Sequence, residues 1–385
     1  MKKIFCLILC AAILALSLAA CGGQKQESSG SKRAFSIIDK TERKEVTATF
    51  MNSDGGDPLD VEMKKSESSD SEKNLYTCQA DTSYDRVIVK ADSNTSIELA
   101  VNDYVSCWEN ISGQYYPYVQ ENAEDFLKTD RKVFDYEDRD KNVFIWTPAD
   151  YDKDSDEKYS VIYMPDGQNL FVRAATSTGS WGVAESALAM AENGGEKCII
   201  VGIETDGSWR DSELTPNLGD VRDESYADGH GKYFSDFVVD TVMPYINENY
   251  NVYTDREHTH VCGSSSGGIE SFYIAMEHPD KFGSVGALSP AFILYSDGTW
   301  VDYLKQKDFS AGYPTVYLYC GNSKSDDLEK MLYIGTKSMP DNLKKIGYPE
   351  DKVITKLYDD GAHKEAYWRA VFPDYLKYAF PKNAE

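Results

Sequence analysis

Residues 259–268 read Thr259-His260-Val261-Cys262-Gly263-Ser264-Ser265-Ser266-Gly267-Gly268, and this stretch decides the fold. Thr259 to Cys262 is a short apolar run of strand type, and the residues from Gly267 to about Glu277 suit a helix. Between them lies G-x-S-x-G, in which only Ser265 has glycine at both −2 and +2. Small flanking residues let the chain turn sharply from strand to helix. That turn lifts the serine hydroxyl above a sheet and sets it near the helix N-terminus. The pentapeptide alone arises by chance in about one chain in ten of this length. Its place between strand and helix gives it weight, and the pattern predicts Ser265 as a nucleophile.

Outward from that turn, strand and helix patterns alternate from Glu121 to the C-terminus. Lys132–Tyr136 and Asn142–Trp146 read as an antiparallel opening pair. Strands follow at Tyr159–Met164, Cys198–Gly202, Thr259–Cys262, Ser284–Leu288, Thr315–Tyr319 and Lys352–Leu357. Helical stretches fall between them, with a last one near Lys364–Phe380. This alternation predicts an α/β fold with a mostly parallel sheet covered on both faces.

A serine nucleophile needs a base. The chain has five histidines, and the strand–serine–helix turn places its base late, after the last strand. His363 follows Lys352–Leu357 through Asp359-Asp360-Gly361-Ala362 and is the expected base. The acid that orients it belongs after the preceding strand. There Cys320-Gly321 leads into Asn322-Ser323-Lys324-Ser325-Asp326-Asp327. Asp326 is preferred and Asp327 stays open, each with helix capping as the alternative role. An oxyanion hole needs two backbone N–H groups. Ser266 and Gln168, the latter in Met164-Pro165-Asp166-Gly167-Gln168-Asn169, are the expected donors.

The N-terminal part reads differently. Lys2 and Lys3 precede an apolar stretch from Ile4 to Ala20, too short for a comfortable membrane span and typical of a signal peptide. It ends Leu18-Ala19-Ala20-Cys21-Gly22, which resembles a bacterial lipobox with Cys21 as the lipidated residue. Residues 22–33 form a flexible tether. The expected location is the extracellular face of the bacterial cell membrane, held by the N-terminal lipid. Residues 34–120 are β-rich, with turn signals at Asp54-Gly55-Gly56-Asp57-Pro58 and aromatics at Trp108, Tyr115, Tyr116 and Tyr118. A small β-sandwich fits. It loosely resembles starch-binding-type carbohydrate modules, so its aromatics are either a sugar-stacking platform or core. Residues 121–385 form the catalytic part.

Composition narrows the partners. The formal net charge of −24 argues against nucleic-acid binding. No CxxC or His-rich cluster points to zinc, and the acidic run from Asp150 to Glu157 lacks the glycine and closing glutamate of a calcium loop. Of eight cysteines, five lie beyond Cys21, and Cys78 with Cys107 is the one candidate disulfide.

Beyond the serine motif, several segments carry a resemblance in their order. They are Tyr163-Met164-Pro165-Asp166-Gly167-Gln168-Asn169-Leu170-Phe171, Val201-Gly202-Ile203-Glu204, and Arg210 with Glu213-Leu214-Thr215-Pro216. Ala287-Leu288-Ser289-Pro290-Ala291-Phe292 and Gly361-Ala362-His363-Lys364-Glu365-Ala366-Tyr367-Trp368 complete the set. Together they cover nearly all of residues 130–380, and this half resembles the esterase D and enterochelin esterase-like family, which includes feruloyl and acetyl-xylan esterases. The resemblance implies an α/β-hydrolase fold and ester hydrolysis through an acyl-enzyme without metal or organic cofactor. It implies acyl esters of carbohydrate as substrate, with a siderophore ester second. Trp181 and Arg210 are expected to shape the substrate cleft. Many relatives carry an acid about three residues after the glycine that ends the penultimate strand, where this chain has Lys324. That departure supports a rival reading, a carbohydrate-binding surface lipoprotein on an esterase fold without catalysis.

Overall fold

The computed structural model describes residues 31–53, 55–67, 73–92, 94–119, 126–171, 179–205 and 207–381. The signal peptide, Cys21 and most of the tether lie outside the described residues.

Nine short strands come first: β1 (Lys32–Asp39), β2 (Val46–Met51), β3 (Leu59–Glu62), β4 (Lys64–Lys65), β5 (Asn74–Asp81), β6 (Arg86–Ala91), β7 (Asn94–Ala100), β8 (Cys107–Ile111) and β9 (Gln114–Pro117). They form one sheet in the order β4-β5-β1-β8-β9 and another in the order β3-β2-β6-β7. In β2, Val46, Ala48 and Phe50 are buried while the residues between them are half-buried, the period-2 pattern of a strand with one face on a core. Phe35 of one sheet meets Phe50 of the other edge to face at 5.6 Å, so the two apolar faces close on each other as a sandwich.

Two alternatives left open by the sequence take one form here. Cys78 and Cys107 are both free thiols. Cys78 pairs with Phe35 and Cys107 with Ser36, so strand β1 runs between them. Two strand spacings of about 4.8 Å exceed the reach of a disulfide. Of the four aromatics, Trp108, Tyr115 and Tyr116 are buried and Tyr118 is half-buried beneath Lys73. The three buried rings pack as core and against the rest of the chain.

The second sheet system has eight strands: β10 (Thr129–Tyr136), β11 (Arg139–Trp146), β12 (Ser160–Pro165), β13 (Cys198–Ile203), β14 (Thr259–Ser264), β15 (Ser284–Leu288), β16 (Thr315–Cys320) and β17 (Val353–Leu357). Their order is β10-β11-β13-β12-β14-β15-β16-β17. The β10–β11 hairpin turns through Glu137 and Asp138, both at positive φ (47° and 63°), as a two-residue hairpin requires. From β13 to β17 all pairings are parallel. Every residue of β12, β13 and β14 is buried, because helices cover both faces.

Alternate residues sort the core into two halves. Ile162, Met164, Ile200 and Cys262 face the helices Val183–Glu192 and Glu365–Ala379. Val161, Tyr163, Ile199, Val201 and Val261 face the helices Ser266–Glu277 and Asp327–Lys345. The first half runs on without a break into the sandwich core around Phe35, Phe50 and Trp108.

Strand β12 connects outward to β13 on one side, and β14 connects to β15 on the other. The two strands are neighbours, so the connections diverge between them. In open α/β sheets that divergence leaves a crevice beyond the strand ends, where ligands bind.

Two outcomes follow. Denatured, unreduced protein is expected to alkylate fully at both Cys78 and Cys107, and a mass two hydrogens short would contradict the strand order. His260 in β14 is 1% exposed, with Nδ1 2.9 Å from Ser284 Oγ. Burial lowers its imidazole pKa to about 3. The unfolded chain, with an ordinary histidine near 6.5, therefore binds the proton first, and this contribution to stability declines as pH falls from about 6.5 toward 3. His260→Leu is expected to flatten the acid limb of the denaturation midpoint, and an unchanged slope would count against it.

Candidate active site

Ser265 sits between β14 and the helix Ser266–Glu277 at φ 58°, ψ −126°. A non-glycine residue held there costs about 1–3 kcal/mol, so its surroundings must fix it. Its N–H donates to Leu288 O at 3.0 Å. Its carbonyl accepts from the N–H groups of Gly268, Ile269 and Ala291 at 3.0–3.2 Å. A side chain at Gly263 would run into the Gly267 backbone, which is why the turn closes only with glycine at −2.

The loop after β12 lies against this turn. Asp166 takes a left-handed conformation, φ 60° and ψ 38°, and opens a single turn over Gly167–Asn169. A Cβ on Gly267 would lie 3.2 Å from Asp166 Oδ2, so the two loops are in contact. Arg210 grips the Asp166 carboxylate at both oxygens, Nε at 2.6 Å and Nη2 at 2.7 Å. Thr205 Oγ1 donates to Asp166 Oδ1 at 2.5 Å. Thr205 also exchanges two bonds of 3.2 Å with the Gln168 side chain. Among the described residues, the N–H groups of Gln168 and Ser266 have no hydrogen-bond partner. They are therefore free to receive an oxygen, as the oxyanion expectation requires.

His363 follows β17, just ahead of the helix Glu365–Ala379. Its Nδ1 lies 2.9 Å from Glu329 Oε2. A carboxylate only accepts, so this bond puts the proton on Nδ1 and leaves Nε2 to accept one. Glu329 is fully buried, and its other oxygen is held by Ser289 Oγ at 2.7 Å, Gly321 N–H at 2.8 Å and the Cys320 thiol at 3.4 Å. Ser289 Oγ in turn accepts from Trp368 Nε1 at 3.0 Å, and the His363 ring stands edge-on to Trp368 at 5.0 Å.

Asp326 does not reach the imidazole. It caps the helix Asp327–Lys345, with Oδ1 accepting from Glu329 N–H at 3.1 Å and Oδ2 from the His363 backbone N–H at 2.8 Å. Burial works to raise its pKa, but these N–H donors outweigh burial and hold the carboxyl below its usual value. Asp327 points to solvent and pairs with Lys330 at 3.0 Å. Glu329 thus occupies the place expected of Asp326, one helical turn in. Lys324 is exposed and the site has its carboxylate without it.

The two cleft residues also read differently in the structure. Trp181 is 2% exposed and packs on Trp368 at 5.5 Å and Phe372 at 6.2 Å. It supports the residue beneath His363 and lines no open surface. Arg210 spends its guanidinium on Asp166, so it shapes the loop after β12. Ser265, Gln168, Ser266 and His363 all lie at the C-terminal edge of the parallel strands. Glu329, Asp166, Thr205 and Ser289 complete the arrangement.

Residues 136–379, more than half of the chain, match the Esterase family, described as "Putative esterase". An uncharacterized Bacillus subtilis protein, YbbA, is 22% identical over 244 residues, 62% of this chain and 92% of that protein. The enterobactin esterase of Shigella flexneri, solved in the presence of enterobactin, superposes with a TM-score of 0.51 at 15% identity. That match covers 92% of this chain and 94% of the neighbour. A ferulic acid esterase of Anaeromyces mucronatus, solved with ferulic acid, superposes at 0.48 with 19% identity, over 65% of this chain and 89% of its own. On the extent of the family match, the chain belongs to the Esterase family.

Proposed function

We propose that the protein is a serine carboxylic-ester hydrolase with Ser265 as nucleophile, His363 as base and Glu329 as the orienting acid. The observation that carries this reading is the His363–Glu329 bond at the strand edge where Ser265 is held in its strained turn. His363 Nε2 takes the Ser265 proton as Oγ bonds to the ester carbonyl carbon. The carbonyl electron pair moves onto oxygen, which the N–H groups of Gln168 and Ser266 receive. The tetrahedral species collapses, the bond to the alcohol oxygen breaks, and His363 returns the proton to it. Water then repeats the sequence and releases the acid. Glu329 keeps its bond to Nδ1 and stabilises the imidazolium.

For substrate we propose acyl esters of carbohydrate, carried over from the sequence resemblance. A second reading, a siderophore ester, gains from two observations. Trp108, Tyr115 and Tyr116 of the sandwich are buried, and the enterobactin esterase matches both halves of this chain. Anchoring through Cys21 outside the bacterial membrane belongs to the same proposal. Among the described residues no helix is long and apolar enough to cross a membrane. The non-catalytic reading rested on Lys324 and loses that support once Glu329 supplies the carboxylate.

Hydrolysis of an aryl acetate tests the assignment. Ser265→Ala is expected to abolish activity. Glu329→Gln is expected to lower kcat about 10²- to 10⁴-fold, because the amide no longer fixes the tautomer or balances the imidazolium. Asp326→Asn keeps a capping side chain and is expected to cost less than about tenfold. The reverse ranking of the two acid variants would return the role to Asp326.

A further inference from the structure

Arg369 lies in the helix that follows His363 and is fully buried. Its guanidinium sits face-on over the Tyr116 ring at 4.0 Å. Nε donates to Tyr115 O at 2.8 Å, Nη2 to Gln114 Oε1 at 2.8 Å, and Nη1 to Ser180 O. Gln114, Tyr115 and Tyr116 belong to β9 of the N-terminal sandwich. Ser180 precedes Trp181, whose N–H donates to Asn169 O at 3.2 Å, at the end of the oxyanion turn. The neighbouring Trp368 packs between Trp181 and His363. One side chain therefore ties together the sandwich, the segment that braces the oxyanion loop, and the helix turn beneath the base.

The fit is close. Gly179 has φ 70°, and a Cβ there would collide with Gln114 Oε1. A second link runs beside it. Lys356 of β17 pairs with Asp85 at 2.8 Å, and Arg86 lies over Tyr358, the residue just after β17, at 4.5 Å, both on the segment that leads to His363. A module that merely delivered the enzyme to a polymer would need no buried charge at its join, since loosely packed joins between domains are the ordinary case.

We propose that the N-terminal sandwich is a working part of the ester-cleaving site, and that Arg369 is the positioning residue through which it holds the oxyanion loop and His363 in register. This rests on the serine-hydrolase reading above for its effect on rate, whereas the mechanical coupling does not. A guanidinium is suited to the task because its planar fork serves three acceptors at once and a lysine cannot. A displacement of about 1 Å in such a loop costs on the order of 10²-fold in rate.

The test uses full-length protein carrying Gln114→Ala, Gln114→Glu or Arg369→Lys, with two readouts. The first is kcat and KM on an aryl acetate. The second is amide hydrogen exchange over residues 167–171 and 179–184. Gln114 is far in sequence from every reacting group and lies in a partly buried hairpin, so its variants should fold even if Arg369→Lys does not. Gln114→Ala is expected to lower kcat about tenfold with a smaller change in KM, and to speed exchange in both segments. Gln114→Glu restores an acceptor for Arg369 and is expected to stay within about twofold of wild type. Folded Gln114→Ala protein with kcat within twofold and unchanged exchange would overturn the proposal. If wild type cleaves no ester, the hydrolase reading fails, and exchange alone decides the coupling: faster exchange supports it, unchanged exchange overturns it.

Discussion

The backbone at Ser265 is the constraint on which the rest of the site depends. A serine at positive φ is costly, and here four backbone hydrogen bonds hold it. Those bonds come from Leu288 at the end of the neighbouring strand, from the first helical turn, and from Ala291 beyond Ser289. The turn therefore exists only when β14 and β15 are in register and the helix Ser266–Glu277 is seated. The same strand ends carry the loop of Asp166 to Asn169 and the Glu329 carboxylate. Folding the parallel sheet assembles the chemistry as a by-product of register.

Buried charge governs the second half of the site. Glu329 has no access to water, so its carboxylate must be matched by protein donors. Ser289, Gly321, Cys320 and His363 provide them from three separate elements. Asp166 follows the same logic on the other side, bound by Arg210 and Thr205. Neither carboxylate needs to touch substrate. Each converts the packing of several loops into the placement of one functional group, His363 in one case and the Gln168 N–H in the other.

Much of this was legible in the sequence, for physical reasons. Strands buried on both faces appear as apolar runs, so β12 to β16 could be read nearly residue by residue. The turn at Ser265 was legible because it demands glycines, and the place of His363 after the last strand because the chain offers few histidines. Glu329 was hidden by its own context. Asp326-x-x-Glu329 has the spacing of a helix-capping pair, in which the glutamate ordinarily reaches back to the helix start. Here the aspartate caps and the glutamate turns to the histidine, a choice made by tertiary packing. Trp181 and Arg210 were misread for a similar reason. An aromatic or a cation near a catalytic loop has the same sequence appearance whether it meets substrate or braces the loop. The Cys78–Cys107 pairing stayed open because sequence spacing says nothing of the strand that runs between them.

The most direct measurement of the central claim is covalent capture. Full-length protein is treated with a fluorophosphonate, digested, and the adduct located by mass spectrometry. A hydroxyl activated by His363 in a preformed oxyanion site predicts one adduct per chain, on Ser265, lost when the protein is unfolded beforehand. No adduct on folded protein, or an adduct on another serine, would contradict the account.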